Sequence, residues 1–352
     1  MNDNPVLKGH SRLGRRRRSS LKVIDTDAFS RSLRQRCVDV YGKTILIARI
    51  AGSKQEQDLT VPVNCDGYGR IRHFRYRQHL EWSPDPLPGQ PAAKALSKPL
   101  ETTLRAQVFQ NAACNWRCWY CFVDFNRLSA DPAHAAFFTA DQLLKMYLDQ
   151  ENPPEVIDIS GGQPDLTPEW ILWTMEALAR LDLVGKVFLW NDDNLSNYYL
   201  WEFLSREQIE YMVGFPKYSR VGCFKGFDPV SFSFNTCAHP DLFDRQFDIF
   251  KRLLLEGFDI YAYVTFTSNP DAQMQSKMGR FIDRLQEIHP HLPLRTVPLK
   301  VHAFTPTAAR TGAEREAAMR FQQEVHDAWV EHLAKRYSPE ERSIPISDVS
   351  LS

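Results

Sequence analysis

From residue 100 onward, short apolar runs alternate with stretches whose apolar residues recur at helical spacing. The runs Leu104–Phe109, Val156–Ser160, Lys186–Trp190, Val221–Lys225, Ile260–Thr267 and Thr296–Phe304 have the length and β-branched or aromatic content of strands. Between them, Thr139–Glu151, Pro168–Leu181, Arg206–Val213, Leu242–Glu256 and Ala272–Ile288 read as amphipathic helices. Strands separated by helices predict a parallel sheet with crossover connections, and such sheets place ligand sites at the carboxyl ends of their strands. Six units predict an α/β fold in the form of a partial (β/α)6 TIM-like barrel. A last helical pattern, Ala313–Tyr337, is expected to pack outside it.

The rest of the chain divides by composition. Residues 1–20 are polar and carry Arg15-Arg16-Arg17-Arg18, which reads as a disordered basic tail or as an arm for nucleic acid or a partner. Residues 21–100 form an N-terminal accessory region. It holds one strand pattern, Thr44–Ile50, and an irregular segment, Asn64–Phe74, whose glycines suit turns. Arg70, Arg72, His73 and Arg75 in and beside that segment are either a solvated turn or a basic lip over an anionic substrate. The Pro-rich stretch Trp82–Pro91 is expected to run as an extended strap. The barrel then occupies 101–308, and 309–352 form the C-terminal helix and tail.

Charge narrows the partners. The 352 residues carry 43 basic and 43 acidic side chains, so no global field draws the protein to nucleic acid or an anionic membrane. No apolar run is long enough to span a bilayer, and no signal-peptide pattern opens the chain, so a cytoplasmic protein without a membrane partner is expected. Seven cysteines, three of them clustered, are poor material for a disulfide framework.

The three clustered thiols lie in Cys114-Asn-Trp-Arg-Cys118-Trp-Tyr-Cys121. A structural zinc site needs a second Cys or His pair, and none is present. A four-iron cluster ordinarily takes four thiolates, and three would leave one iron open. Cys-x-x-x-Cys-x-x-Cys just after the first predicted strand of an α/β domain resembles the radical S-adenosylmethionine (SAM) enzymes. The resemblance covers about residues 100–308. It implies a [4Fe-4S] cluster on Cys114, Cys118 and Cys121, with SAM's methionine end chelating the fourth iron. Reductive cleavage of SAM to a 5′-deoxyadenosyl radical that abstracts hydrogen from a substrate would follow. A one-electron reductant such as flavodoxin or ferredoxin is implied as partner.

Other residues extend the likeness. Tyr120, before the third cysteine, is placed near SAM's adenine. Gly161-Gly162-Gln163-Pro164, after the second strand, resembles the family's Gly-Gly-Glu-Pro turn, which holds SAM's ammonium. Gln163 keeps an acceptor but lacks the charge, so that SAM binding is either weaker or compensated by a nearby acid such as Asp165. Cys223-Phe-Lys225 is similar to the Asp-x-Lys of the glycyl-radical-enzyme activases, in which the lysine holds SAM's carboxylate. Asn191-Asp192-Asp193-Asn194 ends the third strand and is read either as a contact to ribose, substrate or a cation, or as turn and cap residues. Thr265 and Thr267 share a face of the fifth strand and are candidates for the ribose or the substrate, and Lys300 and His302 share one on the sixth. No cysteine follows Cys237, so a single cluster is expected. The competing class is a non-catalytic iron–sulfur protein for electron transfer or regulation, associated with nucleic acid through the basic arm.

Overall fold

The computed structural model describes residues 23–74 and 82–351, so Arg15–Arg18 and Arg75 lie outside the described residues. Ten strands form two sheets: β1 Val38–Asp39, β2 Thr44–Ala48, β3 Gly69–Phe74, β4 Leu104–Phe109, β5 Ala135–Thr139, β6 Val156–Ile159, β7 Phe188–Asp193, β8 Tyr218–Phe224, β9 Ile260–Thr265 and β10 Thr296–Leu299. The large sheet has the order β10-β9-β8-β7-β6-β4-β3, and its six strands from β4 to β10 are parallel neighbours. It curls into a half-barrel, as the alternation of strand and helix patterns predicts. A small antiparallel sheet, β1-β2-β5, stands beside it.

Local sequence explains the helices between the strands. Thr139 with Gln142 and Ser205 with Gln208 close reciprocal capping boxes at the starts of Ala140–Leu148 and Arg206–Val213. Pro168 opens Pro168–Arg180 at a position where its missing N–H costs nothing. Gly257, at φ +98°, ends Phe243–Glu256 in the left-handed conformation that glycine adopts freely. These helices cover the outer face of the sheet. There Phe224, Phe247, Phe250, Phe281 and Trp329 form one connected aromatic core. The C-terminal helix Ala313–Arg336 packs against Met274–Ile288 on that outside.

The inner face is graded along the barrel axis, and that gradient positions the site. At the amino ends of the strands Leu104, Val156, Phe188, Tyr261 and Val297 point inward and join Phe74, Leu87 and Ala92 in a second apolar cluster. One or two pleats on, the inward positions become Asp158, Ser160, Asp192, Cys223, Lys225 and Thr265. An apolar plug therefore closes one end, and polar chemistry collects at the carboxyl-terminal end.

Three expectations are corrected. Gly69–Phe74 is a strand, not an irregular turn: β3 pairs antiparallel with β4 along its whole length, Arg70 opposite Val108 and Phe74 opposite Leu104. Its glycine prefix and charged alternation hid the strand, because only one side of each pleat is apolar. The Pro-rich strap runs into the helix Gly89–Ala95, whose Ala92 and Ala93 seal the apolar plug. The sixth strand ends at Leu299, not at Phe304. Beyond Leu299 the chain leaves the sheet, and Val301 exchanges both backbone hydrogen bonds with the Gln322 amide of the C-terminal helix. Lys300 and His302 thus fall outside β10. Among the described residues no helix is long and apolar enough to cross a membrane.

Candidate functional site

The cysteine loop leaves the carboxyl end of β4, the first parallel strand. Asn111 turns it: its Oδ1 accepts from the Ala113 N–H, and its Nδ2 donates to the Gln163 carbonyl. Asn115 is wholly buried and donates to the hydroxyls of Ser30 and Ser196. The Arg117 and Trp119 N–H groups donate to the carbonyls of Thr236 and Asn235. The loop is thereby fixed from three sides, while Cys114, Cys118 and Cys121 stay partly exposed and unpaired in any disulfide.

Two arginines clamp the loop's carbonyls. Arg117 donates to the carbonyls of Cys114 and Trp116 and lies over the rings of Phe29 and Phe125. Arg310 donates to the Cys121 carbonyl at 2.6 Å and to that of Val123 at 2.7 Å. Burial lowers the pKa of both guanidiniums, and the neighbouring thiols oppose that fall. Cys118 is pushed up to about 12, chiefly by burial, with Lys225 opposing and Cys114 and Cys121 adding to the rise. The three thiols therefore feel one another and three surrounding cations.

Whether the loop suits an iron–sulfur cluster is a question of donors and charge. Three unpaired thiols are soft donors of the type that hold such clusters, and Arg117, Arg310 and Lys225 supply positive charge to offset thiolates. In chemistry the residues fit. Among the described residues, however, no group of three or more His, Cys, Asp or Glu side chains is gathered to hold a metal ion. The cluster thus rests on the identity and spacing of the thiols, not on sulfurs already drawn to a centre.

Of the other expected residues, Tyr120, Lys225 and Thr265 come together. The Tyr120 hydroxyl lies 3.0 Å from Thr265 Oγ1 on β9. Lys225, just past β8, forms no side-chain ion pair or hydrogen bond among the described residues; its backbone N–H is held by Gln246. Burial works against its charge, but Cys223, Tyr120, Cys118 and Asp192 together raise its pKa. Thr267 instead bonds Asn235 Oδ1 and is structural.

Gly161 and Gly162 form the turn after β6, at φ +90° and +70°. A Cβ on Gly162 would stand 2.3 Å from the Asn111 carbonyl oxygen and 2.7 Å from that of Ala113. The turn is glycine because it backs directly onto the cysteine loop, and the Gln163 N–H donates to the Ala113 carbonyl at 2.7 Å.

Gln163 itself is buried and engaged at both ends of its amide. Nε2 donates to Asp193 Oδ1 at 2.8 Å, and Oε1 accepts the Asn194 N–H at 2.9 Å. This pairing gives a physical reason for an amide here: a carboxylate would face the Asp193 carboxylate in the protein interior. Gln163→Glu is accordingly expected to lower stability by roughly 1–3 kcal/mol at pH 8 in urea denaturation, with a smaller loss at lower pH, where the new carboxyl is protonated.

The Asx cluster after the third strand splits between the two faces. Asn191 points to the helix layer, where its amide meets the Tyr218 hydroxyl and Asp165. It is not brought to the cysteine loop. Asp192 faces inward and accepts from Ser160 Oγ at 2.7 Å and Trp190 Nε1 at 3.0 Å. Asn194 reaches the loop directly: its Nδ2 donates to Asn115 Oδ1 and lies 3.8 Å from Cys114 Sγ. Asp165 likewise lies on the helix side of the sheet rather than in the barrel. It pairs with Arg220, which bridges to Asp193 as well, at 2.8 and 3.1 Å.

Cys237, scattered in the sequence, is near the loop in space. Its Sγ is 3.8 Å from the Arg117 carbonyl, and its pKa answers to burial, Arg315 and Arg117 rather than to the other thiols.

No protein-family model matches this chain, and no curated protein is significantly similar to it. Solved structures of Streptococcus suis SuiB resemble part of it. The complex with precursor peptide SuiA aligns at 14% identity and a TM-score of 0.36, covering 51% of this chain and 36% of SuiB. The complex with S-adenosylmethionine aligns at 16% identity and 0.34, covering 50% and 35%. So distant a match assigns no chemistry to this chain.

Proposed function

We propose that this chain is a radical SAM enzyme. The observation that carries the reading is a three-thiol loop at the carboxyl end of the half-barrel's first parallel strand, with Tyr120, Thr265 and an ammonium, Lys225, beside Cys118. Cys114, Cys118 and Cys121 would hold a [4Fe-4S] cluster, and SAM would complete it. Bound there, the pair would supply reductive cleavage of SAM to methionine and a 5′-deoxyadenosyl radical that takes hydrogen from the substrate.

The chain's own residues have definable tasks. Lys225 offers the carboxylate of SAM a cation that forms no ion pair among the described residues. Tyr120 presents its ring to the adenine, with its hydroxyl tied by Thr265. Gly161 and Gly162 let the β6 turn approach the loop, and Gln163 fixes that turn to β7. Arg117 and Arg310 hold the loop's carbonyls and offset thiolate charge. The apolar plug below excludes water from the barrel floor, which protects a reactive intermediate. A flavodoxin- or ferredoxin-like protein would bring the electron.

The test is anaerobic reconstitution with iron and sulfide, followed by dithionite and SAM. Formation of 5′-deoxyadenosine is expected. A chain carrying its full complement of iron and sulfide that yields none would refute the reading.

A further inference from the structure

Among the described residues the Arg70 guanidinium has no direct anionic partner. Arg70 is the second residue of β3, shares its inward face with Arg72 and Phe74, and is 7% exposed. Its Nε is buried with no hydrogen-bond partner, and among the described residues its guanidinium makes neither an ion pair nor a side-chain hydrogen bond. The nearby acids Asp158 and Asp192 favour its charge but make no hydrogen bond or ion pair with it. Asp158 pairs with Arg72 at 3.4 Å, and Asp192 is satisfied by Ser160 and Trp190. Burying a guanidinium without direct hydrogen-bond partners is a costly arrangement in a fold. Here it persists at the carboxyl end of the barrel, against the ring of Phe122, 5.1 Å from its centroid and one residue from Cys121.

From this geometry we infer that Arg70 anchors a carboxylate carried by the substrate. With the carboxylates of Asp158 and Asp192 already nearby, a singly charged carboxylate is accommodated beside Arg70 more readily than a doubly charged phosphate. A guanidinium offers paired N–H donors that fit the two oxygens of a carboxylate. Lys225 is left for SAM. Burial and Arg72 lower the pKa of Arg70 to about 10, against the opposing pull of Asp158 and Asp192. The anchor sits beside the cysteine loop, so a substrate held by its acid group would place its remaining atoms over the radical source. The inference takes the reaction from the reading proposed above, whereas binding itself needs neither cluster nor reductant.

The experiment is calorimetric titration of the full chain, without added SAM or reductant. The probes are phenylacetate, succinate and a free-acid tetrapeptide, each beside its primary amide, together with inorganic phosphate. At least one acid is expected to bind roughly tenfold more tightly than its amide, and Arg70→Met to lose that preference while Arg70→Lys keeps part of it. Binding by the small acids marks a free metabolite; binding by the peptide alone marks a chain terminus. The ligand-free Arg70→Met protein should melt no lower than wild type, because an unpaired buried charge has been removed. The inference is overturned if no acid binds, if phosphate binds more tightly than every acid, if the acid preference survives in Arg70→Met, or if that variant melts lower or does not fold. Absence of 5′-deoxyadenosine with acid binding intact would instead count against the radical SAM reading alone.

Discussion

Arg220→Met is expected to lower the stability of the fold by roughly 3–5 kcal/mol at pH 8, read by urea denaturation. Arg220 is wholly buried on β8 and is shared by two carboxylates, Asp165 at 2.8 Å and Asp193 at 3.1 Å. Removing it strands both acids in the interior, where no other cation among the described residues pairs with them. The effect also reaches the candidate site, because Asp193 holds Gln163 and Gln163 holds the turn behind the cysteine loop. The pH dependence has a definite sign. Burial already lifts the Asp165 carboxyl to about 7, with Arg220 pulling it down and Asp193 raising it further. Without Arg220 it rises more. A carboxyl whose folded pKa is raised contributes stability where it is protonated and loses it as pH rises through that value. The deficit of the variant should therefore shrink as pH falls from about 8 toward about 5. A deficit that grows on acidification would show that the acids stay charged without their partner.

Cys118→Ala is expected to cut 5′-deoxyadenosine formation by roughly 10³-fold or more, because the three thiols act as a unit and removing one disables it. The fold should be nearly unaffected, within about 0.5 kcal/mol, since the partly exposed thiol anchors no backbone. Cys237→Ala and Cys223→Ala serve as the matched comparison. Cys237 rests against the back of the loop, and Cys223 lies on the inner face of β8, so neither should lower the iron bound per chain. Loss of iron in Cys237→Ala, with iron retained in Cys118→Ala, would redraw the ligand set.

The legible part of this protein is what depends on period and neighbours. Fully buried parallel strands such as Val156–Ile159 read as apolar runs, and capped amphipathic helices such as Arg206–Val213 show both their face and their start. The order of the six parallel strands follows from those patterns and the handedness of crossovers. β3 was hidden because it contributes arginines to a polar rim rather than apolar residues to a core. Arg310 was hidden for a different reason: it meets Cys121 from 189 positions away, and no spacing rule links them. The cysteine triplet, the glycine turn, Tyr120 and Lys225 were legible because each sits in a short motif at a strand end. The partner of Gln163 was not, since the acid that makes an amide necessary comes from the neighbouring strand. The division of Asn191 and Asp192 between two faces follows from the pleat once the start of β7 is known.

The most direct measurement of the central claim is electron paramagnetic resonance of the reconstituted, reduced protein before and after SAM is added. An open iron that SAM enters predicts a [4Fe-4S] signal, whose shape changes with SAM and is absent from Cys118→Ala. A full-strength signal that SAM leaves unchanged would contradict the claim that the three-thiol loop keeps one corner for it.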